Sequence, residues 1–157
     1  MLTFLESLKK LQDSNEFKKF IKLHPDAFLS TGFIIYENEN SNWQIDYYSS
    51  KKDLFFSFIV NKKITCQESK KFGKDKIRKL DLSKIKINFE QALEIIEKEN
   101  KYLNEKPEKI IAILQDKIWN IIFLTKSFKT INFKIDYSTK KIIFSEEKSV
   151  FEFKKSG

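Results

Sequence analysis

The sequence predicts an α+β protein made of two copies of one unit, each a helix followed by three or four antiparallel strands (αβββ). Three observations predict this fold: two helix starts with matching capping residues, apolar residues that alternate at the period of a strand, and single-copy landmarks that recur in the same order. The units span residues 1–80 and 81–157, with a lysine-rich connector at the end of the first. A hydrophobic fraction of 41% is sufficient for a globular core.

Two capping boxes mark the predicted helix starts. Thr3 is followed three residues later by Glu6, and Asn88 is followed by Gln91. In this pattern the two side chains satisfy backbone donors that the first helical turn leaves free. Apolar residues at helical spacing follow on one face of each helix: Phe4, Leu8 and Leu11, then Phe89, Leu93 and Ile96.

The strands of the first unit are predicted from alternation and from apolar runs. Residues 28–36 form the first strand, and Trp43, Ile45 and Tyr47 alternate with polar neighbours in the second. Residues 54–60 form a third strand, which a turn at 61–62 connects to a short strand at 63–66.

The second unit repeats this order. The strand residues fall at 110–114, at 119–123 and at 131–137, where apolar side chains alternate cleanly with polar ones. A turn at 138–141 leads into 142–144. The tail at 150–153 also alternates and predicts an additional edge strand.

Single-copy residues support the duplication. Each unit has one proline, Pro25 or Pro107, and then one tryptophan, Trp43 or Trp119, at offsets of 82 and 76 residues. The shrinking offset places the extra length of the first unit in its loops, mainly at 37–42.

Two adjacent aromatic pairs interrupt the alternation. Tyr47–Tyr48 and Phe55–Phe56 must each place one ring on either side of a sheet. Because a unit of about 75 residues buries limited surface alone, we expect the other unit to cover the rings on the second face. A dimer partner or a ligand is the alternative cover.

The second unit resembles the PepSY-like fold, a helix laid on an antiparallel sheet. The resembling segments are Ile87–Ala92 at the helix start, Trp119–Ile121 in a strand, and Ile135–Thr139 in the closing hairpin. Lys140 stands where the family has glycine, so the turn must differ or bear strain. The resemblance implies a small non-catalytic binding module, often associated with protease inhibition or regulation and often outside the cytoplasm.

The net charge of +8 is concentrated in one segment, because residues 61–80 alone carry a net +6. Such a segment attracts phosphates if its side chains converge, and Phe55, Phe56 and Phe58 lie nearby for base stacking. The competing interpretation is a solvated connector, since only Arg78 among the 30 basic residues is arginine, the better base reader. The basic candidates for phosphate or nucleic-acid binding are Lys62, Lys63, Lys70, Lys71, Lys74, Lys76, Arg78 and Lys79.

The remaining chemistry predicts no enzyme. His24 and Cys66 are single copies with nothing to orient them, and Asp46 and Asp53 are the weak candidates for a divalent cation. We therefore expect no catalytic site, no metal and no cofactor. The leading prediction is a non-enzymatic binding or regulatory module that acts through contacts with an unknown protein, by strand addition at a sheet edge. Nucleic-acid binding is the alternative.

The cellular setting follows from the same composition. The N-terminus lacks a basic start and an apolar stretch, and no long apolar window spans a membrane. We expect a cytoplasmic monomer or homodimer.

Overall fold

The structure, a computed structural model, describes residues 1–99 and 106–149. The predicted tail strand at 150–153 lies outside these residues. The helices and strands have these bounds: α1 Phe4–Gln12, α2 Asn15–Leu23, β1 Phe28–Tyr36, β2 Gln44–Ser49, β3 Leu54–Val60, β4 Ile64–Lys70, α3 Phe89–Glu99, β5 Pro107–Gln115, β6 Ile118–Thr125, β7 Lys129–Asp136 and β8 Ile142–Ser149.

The eight strands form one continuous sheet in the order β4-β3-β2-β1-β5-β6-β7-β8. Every neighbouring pair is antiparallel, and the first four strands join the last four through β1 and β5. The α+β class predicted from the sequence is therefore confirmed.

Both predicted helix starts carry their capping boxes. The Glu6 amide donates to Thr3 Oγ1 at 3.1 Å, and the Gln91 amide donates to Asn88 Oδ1 at 2.8 Å. The separate helix α2 was not predicted. It begins because Ser14 caps a second start, its Oγ accepting from the Phe17 amide at 3.2 Å.

The helices cover one face of the sheet. Phe4 of α1 packs edge-on against Trp43 at a centroid distance of 5.5 Å, and Phe17 and Phe20 of α2 contact Phe58. The apolar residues that alternate in the strands point to this helix-covered face and form one core. The predicted alternation thus identified the buried face.

No helix of the described residues packs on the opposite face, which we call the open face. The prediction that one unit covers the second face of the other is wrong, because the two halves lie side by side in one sheet. The adjacent aromatic residues do divide as predicted. Tyr47 and Phe56 enter the core, whereas Tyr48 and Phe55 contact each other on the open face at 5.0 Å.

The connector between β4 and α3 crosses one end of the sheet. The Leu80 amide donates to the Leu29 carbonyl, and the Lys86 amide donates to the Tyr137 carbonyl, both at 2.9 Å. Leu80 and Ile87 are buried, so the second half of the connector is part of the core. None of the described helices is long and apolar enough to span a bilayer.

Candidate functional site

The outer edge of β4 is the first candidate site. Six of its seven residues are exposed, and the strand pairs with β3 without a register shift from Leu54↔Lys70 to Val60↔Ile64. The predicted strand at 63–66 was too short, because its later residues are polar and carry no apolar alternation.

The direction of one hydrogen bond shows which backbone groups of β4 point away from β3. The Val60 amide donates to the Trp43 carbonyl at 3.2 Å, so the Val60 backbone points toward β2. Because successive backbone groups of a strand point to opposite sides, Ile59 faces β4 and bonds with Thr65. The backbone N–H and C=O groups that point away from the sheet therefore belong to Ile64, Cys66, Glu68 and Lys70.

The outer edge of β8 is protected against the addition of another strand, whereas the outer edge of β4 is not. A register shift at Ile135 interrupts the pairing of β7 with β8. Glu146, Glu147 and Lys148 put three charges near the end of β8. All three form ion pairs, Glu147 with Lys129 and Glu146 with Lys148. Bulges and charges of this kind discourage strand addition. In β4, the only charge between its first and last residues is Glu68.

The basic candidates do not converge on one patch. Lys62 and Lys63 lie in the turn before β4, whereas Lys70 and Lys71 lie at its far end, about 20 Å away at the rise of a strand. The remaining four follow Lys71 along the connector. Of the eight, Lys71 alone is half-buried and the others are exposed. The structure thus divides the predicted site into two turn lysines and a run at 70–79.

Within the described residues, one of these eight side chains forms an ion pair. Arg78 Nη1 lies 3.8 Å from Asp116 Oδ1 in the β5–β6 turn. Both side chains of this pair are largely exposed, so the contact contributes little to stability. The lysines of the run other than Lys71 are exposed to solvent, as expected of a connector.

The three phenylalanines of β3 near the basic segment are largely unavailable for stacking, whereas Phe72, inside the segment, is 91% exposed. Phe56 and Phe58 lie in the core under α2, where His24 and Phe17 contact them. Only Phe55 points to the open face, and it packs against Tyr48. A stacking platform beside the lysines therefore does not form on β3.

His24 and Cys66 do not form a nucleophilic pair. His24 is buried between Phe20 and Phe56, and its Nδ1 has no hydrogen-bond partner in the described residues. Although Cys66 is exposed as a residue, partial desolvation of its thiol and then the nearby Glu68 charge raise the pKa of Cys66. A raised pKa disfavours the reactive thiolate.

The carboxylates offer no metal site among the described residues. Asp53 accepts a hydrogen bond from the Tyr48 hydroxyl. Asp46 lies on the open face of β2, where Gln44 Nε2 donates to its Oδ1 at 3.1 Å. Burial raises the pKa of Asp46, while hydrogen bonds from Ser57 and Gln44 act in the opposite direction.

A cavity of about 240 Å³ lies between the first turns of α1 and α3. Its walls are mainly apolar and include Phe4, Leu114 and Trp119. Its lining contains no cluster of titratable groups, so the cavity is not a candidate catalytic site.

The comparisons with known proteins bear on the fold. No family model matches the chain, and no curated protein matches it. The chain is similar to the crystal structure of a protein described as a putative lipoprotein from Clostridium difficile 630. The TM-score is 0.55 at 14% sequence identity, and the match covers 85% of this chain and 91% of that chain. At this identity the likeness shows a common fold.

Proposed function

We propose that this protein is a non-enzymatic binding module that takes up an extended segment of a partner protein along the outer edge of β4. One observation carries the proposal: β4 is a regular edge strand with outward N–H and C=O groups, and Glu68 is the single charge between its first and last residues. Strand addition supplies main-chain hydrogen bonds for affinity, and alternate side chains supply specificity.

The side chains of β4 support this mode of binding. Thr65, Gln67 and Ser69 are short or uncharged and line the open-face side of the strand. Cys66 and Glu68 lie on the helix-covered side, opposite Phe58 and Phe56. A partner strand therefore meets uncharged hydrogen-bonding groups on one side, and on the other the Glu68 carboxylate with Lys70 at the end of the strand.

We also propose that the chain is a tandem duplication of a PepSY-like unit. Two matching hydrogen bonds support it: Trp43 Nε1 donates to the Leu2 carbonyl at 3.2 Å, and Trp119 Nε1 donates to the Ile87 carbonyl at 2.9 Å. In each case the acceptor is the residue before the helix cap.

The test uses the immobilised full chain to capture partner proteins from a cell lysate and compares two substitutions at one position. Cys66→Pro removes an outward N–H and leaves the bonds between β3 and β4 intact, so the variant folds. Cys66→Ala keeps that N–H and is the matched control. We expect the captured protein to be lost with Cys66→Pro and retained with Cys66→Ala.

Amide hydrogen exchange of the captured complex gives the second readout. Binding along β4 slows the exchange of the outward amides of Cys66 and Glu68. Equal capture by the proline and alanine variants, or protection confined to other strands, would contradict the proposal.

Nucleic-acid binding by the lysine-rich segment 62–79 is the alternative prediction, favoured by the solvent exposure of seven of its eight basic side chains. Fluorescence anisotropy with labelled DNA and RNA tests it at about 50 and 200 mM salt, between which phosphate-driven affinity falls tenfold or more. The cytoplasmic location stays a prediction.

A further inference from the structure

The open face of the sheet has the size of a stable protein interface. Eight strands spaced about 4.8 Å apart, each of about seven residues, form a surface on the order of 800 Å². A standard interface buries about 800 Å² on each partner. The centre of the open face is apolar, with Phe33 and Ile35 on β1 and Ile111 and Ile113 on β5.

The polar groups near this centre are arranged in a self-complementary row. Gln44, Phe33, Ile113 and Asn120 lie side by side across four strands. Asn120 Oδ1 is buried and has no hydrogen-bond partner in the described residues. The Gln44 amide donates one N–H to Asp46 and carries a second one.

Consider two copies of the chain whose open faces meet, related by a twofold axis that runs parallel to the strands and passes between Phe33 and Ile113. Rotation about it lays the β1–β4 half of one copy on the β5–β8 half of a second copy. Gln44 then faces Asn120 of the second copy, and Phe33 faces Ile113. The polar side chains of Gln44 and Asn120 thereby face each other, once on each side of the axis.

The charges of the open face match under the same rotation. Asp46 is the only charged residue that β1–β4 place on this face. In the other half Lys134 lies over the Phe144 ring at 5.1 Å and has no ion pair within the described residues. After the rotation, Asp46 lies one strand across and two residues along the strand direction from Lys134 of the second copy. A lysine side chain spans this separation.

We propose that the open face is the interface of a symmetric homodimer, in which two sheets pack face to face with opposite halves together. This surface differs from the β4 edge, which stays free in such a dimer. Aligned sheets pack about 10 Å apart, so both open faces lose their water.

The first test measures the molar mass of the full chain by sedimentation equilibrium between about 1 and 100 μM. We expect a dimer that Ile113→Lys weakens at least tenfold, because the substitution buries two unpaired charges at the axis. Leu5→Lys, which adds the same charge on exposed helix α1, is the control and leaves the dimer unchanged.

The second test exchanges the two charges. Asp46→Lys and Lys134→Asp each weaken the dimer, and the double variant recovers most of the loss, since the two charges meet again with their signs reversed. Circular dichroism establishes that each variant is folded.

Three results would overturn the proposal. They are a monomer at 100 μM, a dimer insensitive to Ile113→Lys, or a dimer lost with Cys66→Pro and unaffected by the charge exchange. The last result would assign self-association to the β4 edge, and a monomer would leave the open face to a different protein.

Discussion

At the scale of single residues, position 32 shows how closely α1 approaches the sheet. A Cβ atom built on Gly32 would lie 2.5 Å from the Phe4 ring. The ring has little room to move, because it is buried and packs edge-on against Trp43. Glycine is thus required here for close packing of the helix on the strand.

Gly32→Ala should therefore destabilise the protein by about 1–3 kcal/mol through overpacking. Urea unfolding followed by circular dichroism measures the change. If the clash with Phe4 is the cause, Gly32→Ala costs less in a Phe4→Leu background. Equal costs in both backgrounds would point to another cause.

Asp46 is a residue whose charge opposes folding. Burial raises its pKa above the ordinary value, so between those two values the folded chain binds more protons than the unfolded chain. The free energy of unfolding consequently falls as the pH rises through this window. Asp46→Asn removes the charge and keeps the shape.

We expect Asp46→Asn to raise the free energy of unfolding at pH 7 and to flatten its decline above pH 4. Urea unfolding between pH 3.5 and 7, at low micromolar protein, measures both effects. Asp136→Asn is the contrasting variant, because hydrogen bonds from the Thr139 and Ser138 amides lower the pKa of Asp136. A less stable Asp46→Asn at pH 7 would refute the account.

At the scale of the element, the β7–β8 hairpin carries the strain that its sequence predicted. Lys140, which stands where the resembling family has glycine, adopts a φ of 67°. The turn is held because Asp136 Oδ1 accepts from the Ser138 and Thr139 amides at 2.8 and 2.9 Å. A left-handed lysine costs about 1–2 kcal/mol, which glycine avoids.

Lys140→Gly should raise the free energy of unfolding by about 0.5–1 kcal/mol, since part of the relieved strain is offset by the freedom of glycine in the unfolded chain. Thermal unfolding measures the gain. Lys141→Gly, one residue later and outside the left-handed region, should lower stability. A loss with both variants would show that the strain at Lys140 is negligible.

At the scale of the whole molecule, the two halves share one core. Trp43 of the first half contacts Trp119 at 5.9 Å and Phe89 at 6.0 Å in the second half. β1 and β5 add a continuous ladder from Thr31↔Gln115 to Tyr36↔Ile110. Separating the halves would expose both tryptophans and two long strand edges.

The full chain should unfold in one transition, with tryptophan fluorescence and far-ultraviolet circular dichroism giving the same midpoint. Fragments 1–80 and 81–157 should not fold alone as monomers, because each loses half of the junction. Two separate transitions, or a folded monomeric fragment, would show that the halves are independent domains.

The amino-acid sequence by itself determined the local structure and the buried face. The bounds of β1 and β3, the capping boxes of α1 and α3, and the division of Tyr47 from Tyr48 all depend on interactions between residues close in the chain. These interactions act wherever the segment lies in the fold, so a pattern of residues predicts them.

The tertiary structure decided which distant strands meet. The pairing of β1 with β5 places the two halves side by side in one sheet, which leaves β4 at an edge and the open face without a covering layer of helices in the described residues. No residue pattern encodes that pairing, because both strands alternate in the same way and would equally suit two stacked sheets. The choice depends on the shape of the shared core around Trp43 and Trp119, which exists only once the chain has folded.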